Sequence, residues 1–186
     1  MKSDAFKAHI EEKLEREYSL TCRDEVVELI ADDSERFEAL WELVCCEKPP
    51  IPQRAAWVLE ALNSQYPFHT ERYAPRLLAQ IPKMIHQMEL RAATRILAET
   101  PIQAPMIPEM WGLMLEFFLD PKTPPALRVN AMELLYQISH VEPGFKYQLR
   151  LVINEHLHEA GPYLLSRGKK NLKQLEKEIR KLEMNA

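Results

Sequence analysis

The amino-acid sequence predicts an all-α fold built from repeated helix pairs, and three observations support this prediction. A short pattern occurs three times, beginning at Arg54, Arg91 and Arg128, so that its arginines fall 37 residues apart both times. A block of apolar residues follows each copy. Glycine is scarce, at 4 residues, whereas Leu, Glu, Ala and Lys are abundant, a composition that favours helices over strands. A fixed period of about 20 to 50 residues is typical of helical repeat arrays.

Length and composition are those of one globular domain, with or without a tail. The chain has 186 residues, of which 46% are hydrophobic, enough to form a substantial core. Its three cysteines, Cys22, Cys45 and Cys46, are odd in number and contain no C-x-x-C spacing, which argues against a disulfide framework or a zinc site. The first residues lack an apolar segment of signal-peptide length, and the longest apolar run, 110–115, is far shorter than a membrane span. We therefore expect a cytoplasmic protein.

Charge is distributed unevenly along the chain. The net charge is −4, but residues 1–48 carry 7 Lys/Arg against 14 Asp/Glu, a net charge of −7. Residues 163–186 carry 7 Lys/Arg against 3 Asp/Glu, a net charge of +4. Such ends could attract each other. The chain as a whole is not the strongly basic protein that sequence-independent nucleic-acid binding normally requires.

Apolar periodicity places a helix pair in each repeat. A degenerate pair is predicted over residues 19–48, after an N-terminal helix. In the first clear repeat, a helix over 53–63 precedes a second helix capped by Thr70, and Pro75 inside that helix predicts a kink or a late start. The second repeat covers residues 84–119.

The third repeat breaks at Pro143-Gly144, and its second helix should continue to a stop at Gly161-Pro162. From Asn171 onward, apolar residues at helical spacing predict a last helix with a lysine-rich surface. This helix could cap the repeats or remain a mobile amphipathic segment.

These helix pairs resemble those of the HEAT-like (armadillo-type) α-solenoid proteins. The likeness consists of an arginine near the start of each first helix, a small residue two or three positions later, and Leu or Ile beyond it. It covers residues 49–162 well and 19–48 weakly, and it departs from the usual pattern in lacking the common Asp before the Arg. The resemblance implies a right-handed α-α superhelix of about three clear HEAT-like pairs, a degenerate N-terminal pair and a C-terminal helix. It divides the chain into a repeat domain, 1–162, and a basic amphipathic C-terminal helix or tail, 163–186.

The repeated arginines have two possible roles. Arg54, Arg91 and Arg128 could form a ladder that binds anions. Alternatively, each could bond carbonyl or carboxylate groups of a neighbouring repeat while its stem packs on apolar surface. We favour the structural role because a period locked to the repeat is what packing predicts.

The sequence offers little support for a catalytic or metal-binding site. The densest cluster, 155–159, places Glu155, His158 and Glu159 on one helix face, but a di-iron site needs a second Glu-x-x-His pair and two further glutamates. Cys45 and Cys46 follow an apolar stripe, which predicts that they are buried structural thiols. Phosphate-binding loops, nucleophile elbows and zinc-protease motifs are missing from the sequence. We therefore predict no metal and no cofactor, and we favour a non-enzymatic protein over an enzyme.

A partner surface is predicted on the second helices, which line the concave face of α-solenoids. Trp, Tyr and Arg dominate interface hot spots, and several such residues fall outside the apolar stripes. The competing interpretation is that they are scattered surface residues, with Trp111 and Tyr147 partly packed between repeats. The candidate binding residues are Arg72, Tyr73, Arg76, Trp111, Lys146, Tyr147 and Arg150. The basic tail contributes Lys169, Lys170, Lys173, Lys177, Arg180 and Lys181.

The leading hypothesis is a non-enzymatic scaffold that binds a protein or peptide through its concave face. The alternative, nucleic-acid binding or DNA repair, rests on a resemblance to the HEAT-like alkylpurine DNA glycosylases. That resemblance implies a basic groove with aromatic residues and a carboxylate, for which only Trp111, Glu109 and the tail are available here. A third hypothesis is an architectural role for residues 169–182. The sequence leaves the oligomeric state and the partner open.

Overall fold

A computed structural model describes residues 3–157 and 161–184, and within these ranges the chain is helical, without strands. Two 3-10 turns occur at Ile81–Lys83 and Ala104–Met106. The predicted all-α helical-repeat fold is confirmed. The α-helices of the described residues are Ser3–Arg16 (α1), Leu20–Ile30 (α2), Ser34–Val44 (α3), Ile51–Gln65 (α4), Pro67–Gln80 (α5), Gln87–Glu99 (α6), Ile107–Leu119 (α7), Pro125–Val141 (α8), Phe145–His156 (α9) and Pro162–Met184 (α10).

The chain forms two compact units, Met1–Pro101 and Ile102–Ala186. In the first unit, α3 packs against α1 and α4, and α4 also packs against α2, α5 and α6. Helix α4 is therefore the centre of this unit, and its buried residues cover much of its circumference. The small residues of the repeated pattern, Ala56 in α4 and Ala93 in α6, are buried, which allows the backbones of these first helices to approach closely.

In the second unit, α8 packs against α7, α9 and α10, and α10 also packs against α9. Large apolar side chains such as Phe118, Leu135 and Ile153 are fully buried in this core. Gly168 of α10 lies against Leu157, where a Cβ atom would be only 2.2 Å from a methyl carbon of the leucine. The C-terminal helix is therefore a packed part of the second unit, which answers whether it caps the repeats or remains mobile.

Two helix starts differ from the prediction, and proline is the reason in both places. Helix α5 begins at Pro67 rather than at Thr70, so Pro75 causes no late start. Helix α10 begins at Pro162 rather than at Asn171. Proline suits the first turn of a helix because the N–H that it lacks would have no partner there. Residues 163–186, predicted as a separate tail, begin one residue after the start of α10, and α10 packs within the second unit.

Candidate functional site

Two of the three repeated arginines bond the backbone of a preceding helix. The Arg54 guanidinium donates to the carbonyl oxygens of Leu14 and Glu15, the latter at 3.1 Å, at the C-terminal end of α1. The Arg128 Nε donates to the carbonyl oxygen of Phe118, at 2.9 Å, near the end of α7. The last carbonyl groups of a helix have no partner within it, and a cation there is also favoured by the helix dipole.

Sequence reasoning missed a related arginine. Arg36 lies in the first turn of α3, and its Nη1 donates to the carbonyl oxygen of Leu29 near the end of α2, at 2.6 Å. It stands outside the 37-residue pattern, which is why the pattern could not reveal it. At three places, an arginine in the first turn of one helix thus bonds the end of an earlier helix.

Arg91 differs from the other two repeated arginines. Its side chain is exposed, and no hydrogen bond or ion pair joins it to the described part of the chain. Arg54 and Arg128 are the fourth residues of their helices, whereas Arg91 is the fifth residue of α6. One residue rotates a side chain by about 100° around the helix axis, so Arg91 points elsewhere. The three arginines therefore do not share one environment, which weakens the anion-ladder hypothesis.

This difference gives a matched comparison. We expect Arg54→Ala and Arg128→Ala each to lower the free energy of unfolding by about 1.5 kcal/mol, because each removes a charged hydrogen-bond donor from helix-end carbonyl groups. Arg91→Ala should change it by less than about 0.5 kcal/mol. Denaturant unfolding of the three variants measures this. Equal effects at all three positions would contradict the structural role.

In the first unit, two candidate binding residues form a bonded cluster with α3. The Arg76 guanidinium donates two hydrogen bonds to the Glu38 carboxylate, at 2.9 and 3.0 Å, and the Tyr73 hydroxyl donates to the same carboxylate. The hydrogen bond from Arg76 holds the pKa of Glu38 below its usual value. The guanidinium carbon also lies 4.7 Å from the Tyr73 ring and 5.1 Å from the Trp41 ring. Arg76 is thus held in one position while half of its side chain stays exposed.

Phe68 extends the exposed face of α5, and sequence reasoning missed it. Because α5 begins at Pro67, Phe68 falls in the helix four residues before Arg72 and eight before Arg76. These three side chains therefore lie along one exposed face. Phe68 is 51% exposed, and its ring lies 4.2 Å from that of His69. We call Phe68, Arg72 and Arg76 the α5 face.

In the second unit, two candidate binding residues point inward. Trp111 of α7 is 9% exposed, and its ring stacks on Phe145 with centroids 4.1 Å apart. Lys146 of α9 is 5% exposed, and its Nζ lies 2.6 Å from the Glu178 carboxylate of α10. Their accessible area is small, so neither offers a partner much surface.

Tyr147 and Arg150 remain at the surface of α9. Tyr147 is exposed and Arg150 is half-buried. Leu151, which belongs to the apolar block that follows the third repeated arginine, is 56% exposed and lies one turn after Tyr147. We call Tyr147, Arg150 and Leu151 the α9 face.

Glu178 is the centre of the contacts that hold α10 in place. Tyr136 Oη donates to its Oε1 at 2.8 Å, and Gln174 Nε2 donates to the same atom at 3.1 Å. Burial alone would raise the pKa of Glu178, but the hydrogen bonds from Lys146, Tyr136 and Gln174 outweigh burial and hold this pKa at about 2. The carboxylate is therefore charged at every physiological pH, and α8, α9 and α10 meet at it.

The predicted basic tail is the outer surface of α10. All six of its cationic side chains are exposed, and no carboxylate of the described residues lies within ion-pair distance of them. We call this surface the α10 basic face. Its members are Lys169, Lys170, Lys173, Lys177, Arg180 and Lys181.

The predicted metal-ligand cluster and the cysteine pair are not arranged in a way that would support a reaction. Residues 3–157 and 161–184 contain no group of three His, Cys, Asp or Glu side chains arranged to hold a metal ion. His158 and Glu159 of the predicted cluster lie outside the described residues. Cys45 and Cys46 are free thiols of intermediate exposure, and burial raises the pKa of the Cys45 thiol, which leaves it protonated and poorly nucleophilic at neutral pH.

Stacked helix pairs with buried small residues between first helices define a helical-repeat protein. The profile of one family, the HEAT repeat domain, matches residues 10–175. The chain belongs to this HEAT repeat family. The comparisons with curated proteins and with solved structures give no match. None of the helices in the described ranges is long and apolar enough to cross a membrane.

Proposed function

We propose that this protein is a non-enzymatic scaffold that binds a protein or peptide partner through the second helices of its repeats. The observation that carries the proposal is the composition of the α5 and α9 faces. Each combines exposed apolar side chains with arginine, as in Phe68 beside Arg72 and Leu151 beside Arg150. Large apolar groups flanked by arginine are typical of interface hot spots.

The bonded cluster on α5 supports the same proposal. Arg76 is fixed by Glu38 and by two aromatic rings, so ordering its side chain on binding would cost little conformational entropy. Its free edge, with Arg72 beside it, suits a partner that offers carboxylate groups next to apolar side chains. The second helices of a HEAT-like array line its concave surface, which is the surface that we propose for binding. Free cysteines at intermediate exposure suit the reducing cytoplasm in which we place the protein.

The proposal is tested by affinity capture of partners from the extract of the native cells, with two variants that leave the core intact. One variant carries Phe68→Ser with Arg72→Ala, and the other carries Tyr147→Ala with Leu151→Ser. Because these side chains are largely exposed, we expect each variant to capture at least about tenfold less partner while its stability changes by less than about 1 kcal/mol.

Ile85 provides the control for this experiment. It is 92% exposed and lies between α5 and α6, outside both proposed faces. Ile85→Ser removes an exposed apolar side chain of similar size and should leave capture unchanged. Undiminished capture by both face variants would refute the proposal, as would an equal loss in Ile85→Ser.

The nucleic-acid alternative has one favourable observation, the α10 basic face. The stacked, largely buried Trp111 does not supply the accessible aromatic ring that base recognition needs. A gel shift with duplex DNA at low salt tests this alternative. Salt-sensitive retardation that Lys173→Glu and Lys177→Glu remove would support it, and no retardation would eliminate it.

A further inference from the structure

The α10 basic face is a concentrated, outward-facing row of positive charge. At about 100° per residue, its six cations fall within about a third of the helix circumference and along about 18 Å of its length. This arc lies opposite the buried side of α10, where Leu164, Leu175 and Ile179 pack against the second unit. Packing of the helix thus orients the whole row of cations toward solvent.

Several lysines elsewhere in the chain are neutralised by nearby carboxylates, whereas those of the basic face, like Lys83 and Lys122, make no ion pair with the described residues. In the first unit, Lys7 and Lys13 each lie 2.6 Å from a glutamate oxygen. Lys48 lies 2.5 Å from one glutamate and 3.1 Å from another. Within the described residues, the six cations of the basic face have no such partner, whereas Arg167, near the start of the same helix, lies 3.9 Å from Glu133. Like charges on one helix repel each other, and Glu176 beside them offsets only part of this repulsion, so an anionic partner would relieve the remainder.

The chain itself carries a matching acidic surface. Residues 1–48 have a net charge of −7. Between α1 and α2 they form an open groove of about 720 Å³. Its walls include Asp24, Glu25 and Glu28, and its apolar part includes Leu29. Asp24 pairs with the neighbouring Arg23 and Glu25 pairs with Lys13. Glu28 makes no ion pair with the described residues and Glu25 is about half exposed, so both can accept a further cation.

From this charge complementarity we propose that the α10 basic face of one copy docks in the α1/α2 groove of a second copy. Lys173 and Lys177, one turn apart on α10, would face the carboxylates of Glu25 and Glu28, which are also close to one turn apart on α2. Each copy has one surface of each kind, so the contact is heterologous and can continue head to tail into a ring or a chain. The proposed partner-binding faces on α5 and α9 take no part, so this inference and the proposed function fail independently.

A second copy fits the basic face better than a lipid surface or a nucleic acid does. The apolar side of α10 is buried in the protein core and is not free to enter a bilayer. The six residues of the basic face include no aromatic side chain on which a base could stack, and the exposed Tyr163 lies about 9 Å before the first of them along the helix. A polyanion would also be repelled by the net charge of −4 and by the acidic first 48 residues, which a second copy uses as its binding surface.

The first test measures the mass of the full chain by light scattering over a series of concentrations. At about 20 mM salt we expect the average mass to rise above the 21.8 kDa of one chain as the concentration increases. At about 500 mM salt, where charges are screened within about 4 Å, it should return to one chain. A mass of one chain at every concentration and salt would overturn the proposal, whether or not the protein then binds DNA or phosphatidylserine vesicles.

The second test reverses the charge at the positions that the contact pairs. One variant carries Lys170→Glu, Lys173→Glu and Lys177→Glu, and the other carries Asp24→Lys, Glu25→Lys and Glu28→Lys. Each variant alone should stay a single chain, because positions 173 and 177 on α10 and positions 25 and 28 on α2 then carry charge of the same sign. An equimolar mixture should associate again, because positions 173 and 177 of one variant are opposite in charge to positions 25 and 28 of the other.

The mixture distinguishes the proposed contact from general charge effects. Self-association of either variant at the wild-type level, or no association in the mixture of two folded variants, would overturn the proposal. If a triple variant loses its helical circular dichroism, the single changes Lys177→Glu and Glu28→Lys serve instead. Each should weaken association severalfold alone, and the two proteins together should recover it.

Discussion

Replacing Glu178 with alanine is expected to lower the free energy of unfolding by about 3 kcal/mol, because the change leaves the buried Lys146 ammonium without its counter-ion. It also removes the acceptor of the Tyr136 hydroxyl and of the Gln174 amide. Helix α10 should therefore be destabilised most, and the hydrogen-exchange rates of its backbone amides should rise more than those of α8. Denaturant unfolding gives the free energy.

Glu176 supplies the control for this experiment, since it is an exposed glutamate two residues away on the same helix. Glu176→Ala should change the free energy of unfolding by less than about 0.5 kcal/mol. A loss that small in Glu178→Ala would show that the Lys146–Glu178 pair does not hold α10 in place.

The same carboxylate makes stability depend on pH in the acid range. Its pKa is about 2 in the folded chain, below the value of about 4.3 for an unfolded glutamate. The contribution of Glu178 is therefore complete above about pH 5 and is lost as the pH falls toward 2. Between about pH 5 and pH 2, the free energy of unfolding should therefore fall less steeply in Glu178→Ala than in the wild-type protein.

Replacing Phe37 with alanine is expected to cost about 4 kcal/mol, because it leaves a cavity in the middle of the first unit. Phe37 is fully buried in α3, and its ring lies 4.7 Å from the ring of His69 and 4.5 Å from that of Tyr73 on α5. The cavity should also loosen the Glu38–Tyr73–Arg76 cluster. A fall in the Tm and a change in the near-ultraviolet circular dichroism would report both effects.

Phe68 provides the comparison, because its ring contacts His69 as well but is half exposed. Phe68→Ala should cost less than about 1 kcal/mol, since most of the removed surface already faces water. If Phe37→Ala and Phe68→Ala lower the free energy of unfolding equally, the α3–α5 contact does not depend on the burial of Phe37.

Much of the fold was predictable because it depends on local patterns. The period of 37 residues, the small residues Ala56 and Ala93, and the helical spacing of apolar residues all survive in the structure, where both alanines are buried. The sequence does not reveal the helix start at Pro67, because Thr70 further along is a stronger capping residue. It does not reveal the start at Pro162, because the regular apolar and lysine spacing begins only near Asn171.

The site was less predictable because it depends on partners that are distant in sequence. Trp111 and Lys146 have the composition of hot-spot residues, but their environment is decided by Phe145 and by Glu178, the latter 32 residues away from Lys146. Amphipathic spacing cannot reveal such pairs. Arg91 shows a second limit: it repeats Arg54 in sequence, yet a shift of one residue in the helix start turns it to solvent.

One measurement tests the proposed binding role most directly: mapping the captured partner onto the chain by NMR, through backbone amides and arginine Nε–Hε groups. We predict that shifts on binding concentrate on the exposed side of α5 around Phe68, Arg72 and Arg76, and on that of α9 around Tyr147 and Leu151. Arg54 and Arg128, whose side chains bond helix ends, should keep their resonances. Shifts confined to α4, α6 and α8, with α5 and α9 silent, would contradict the proposal.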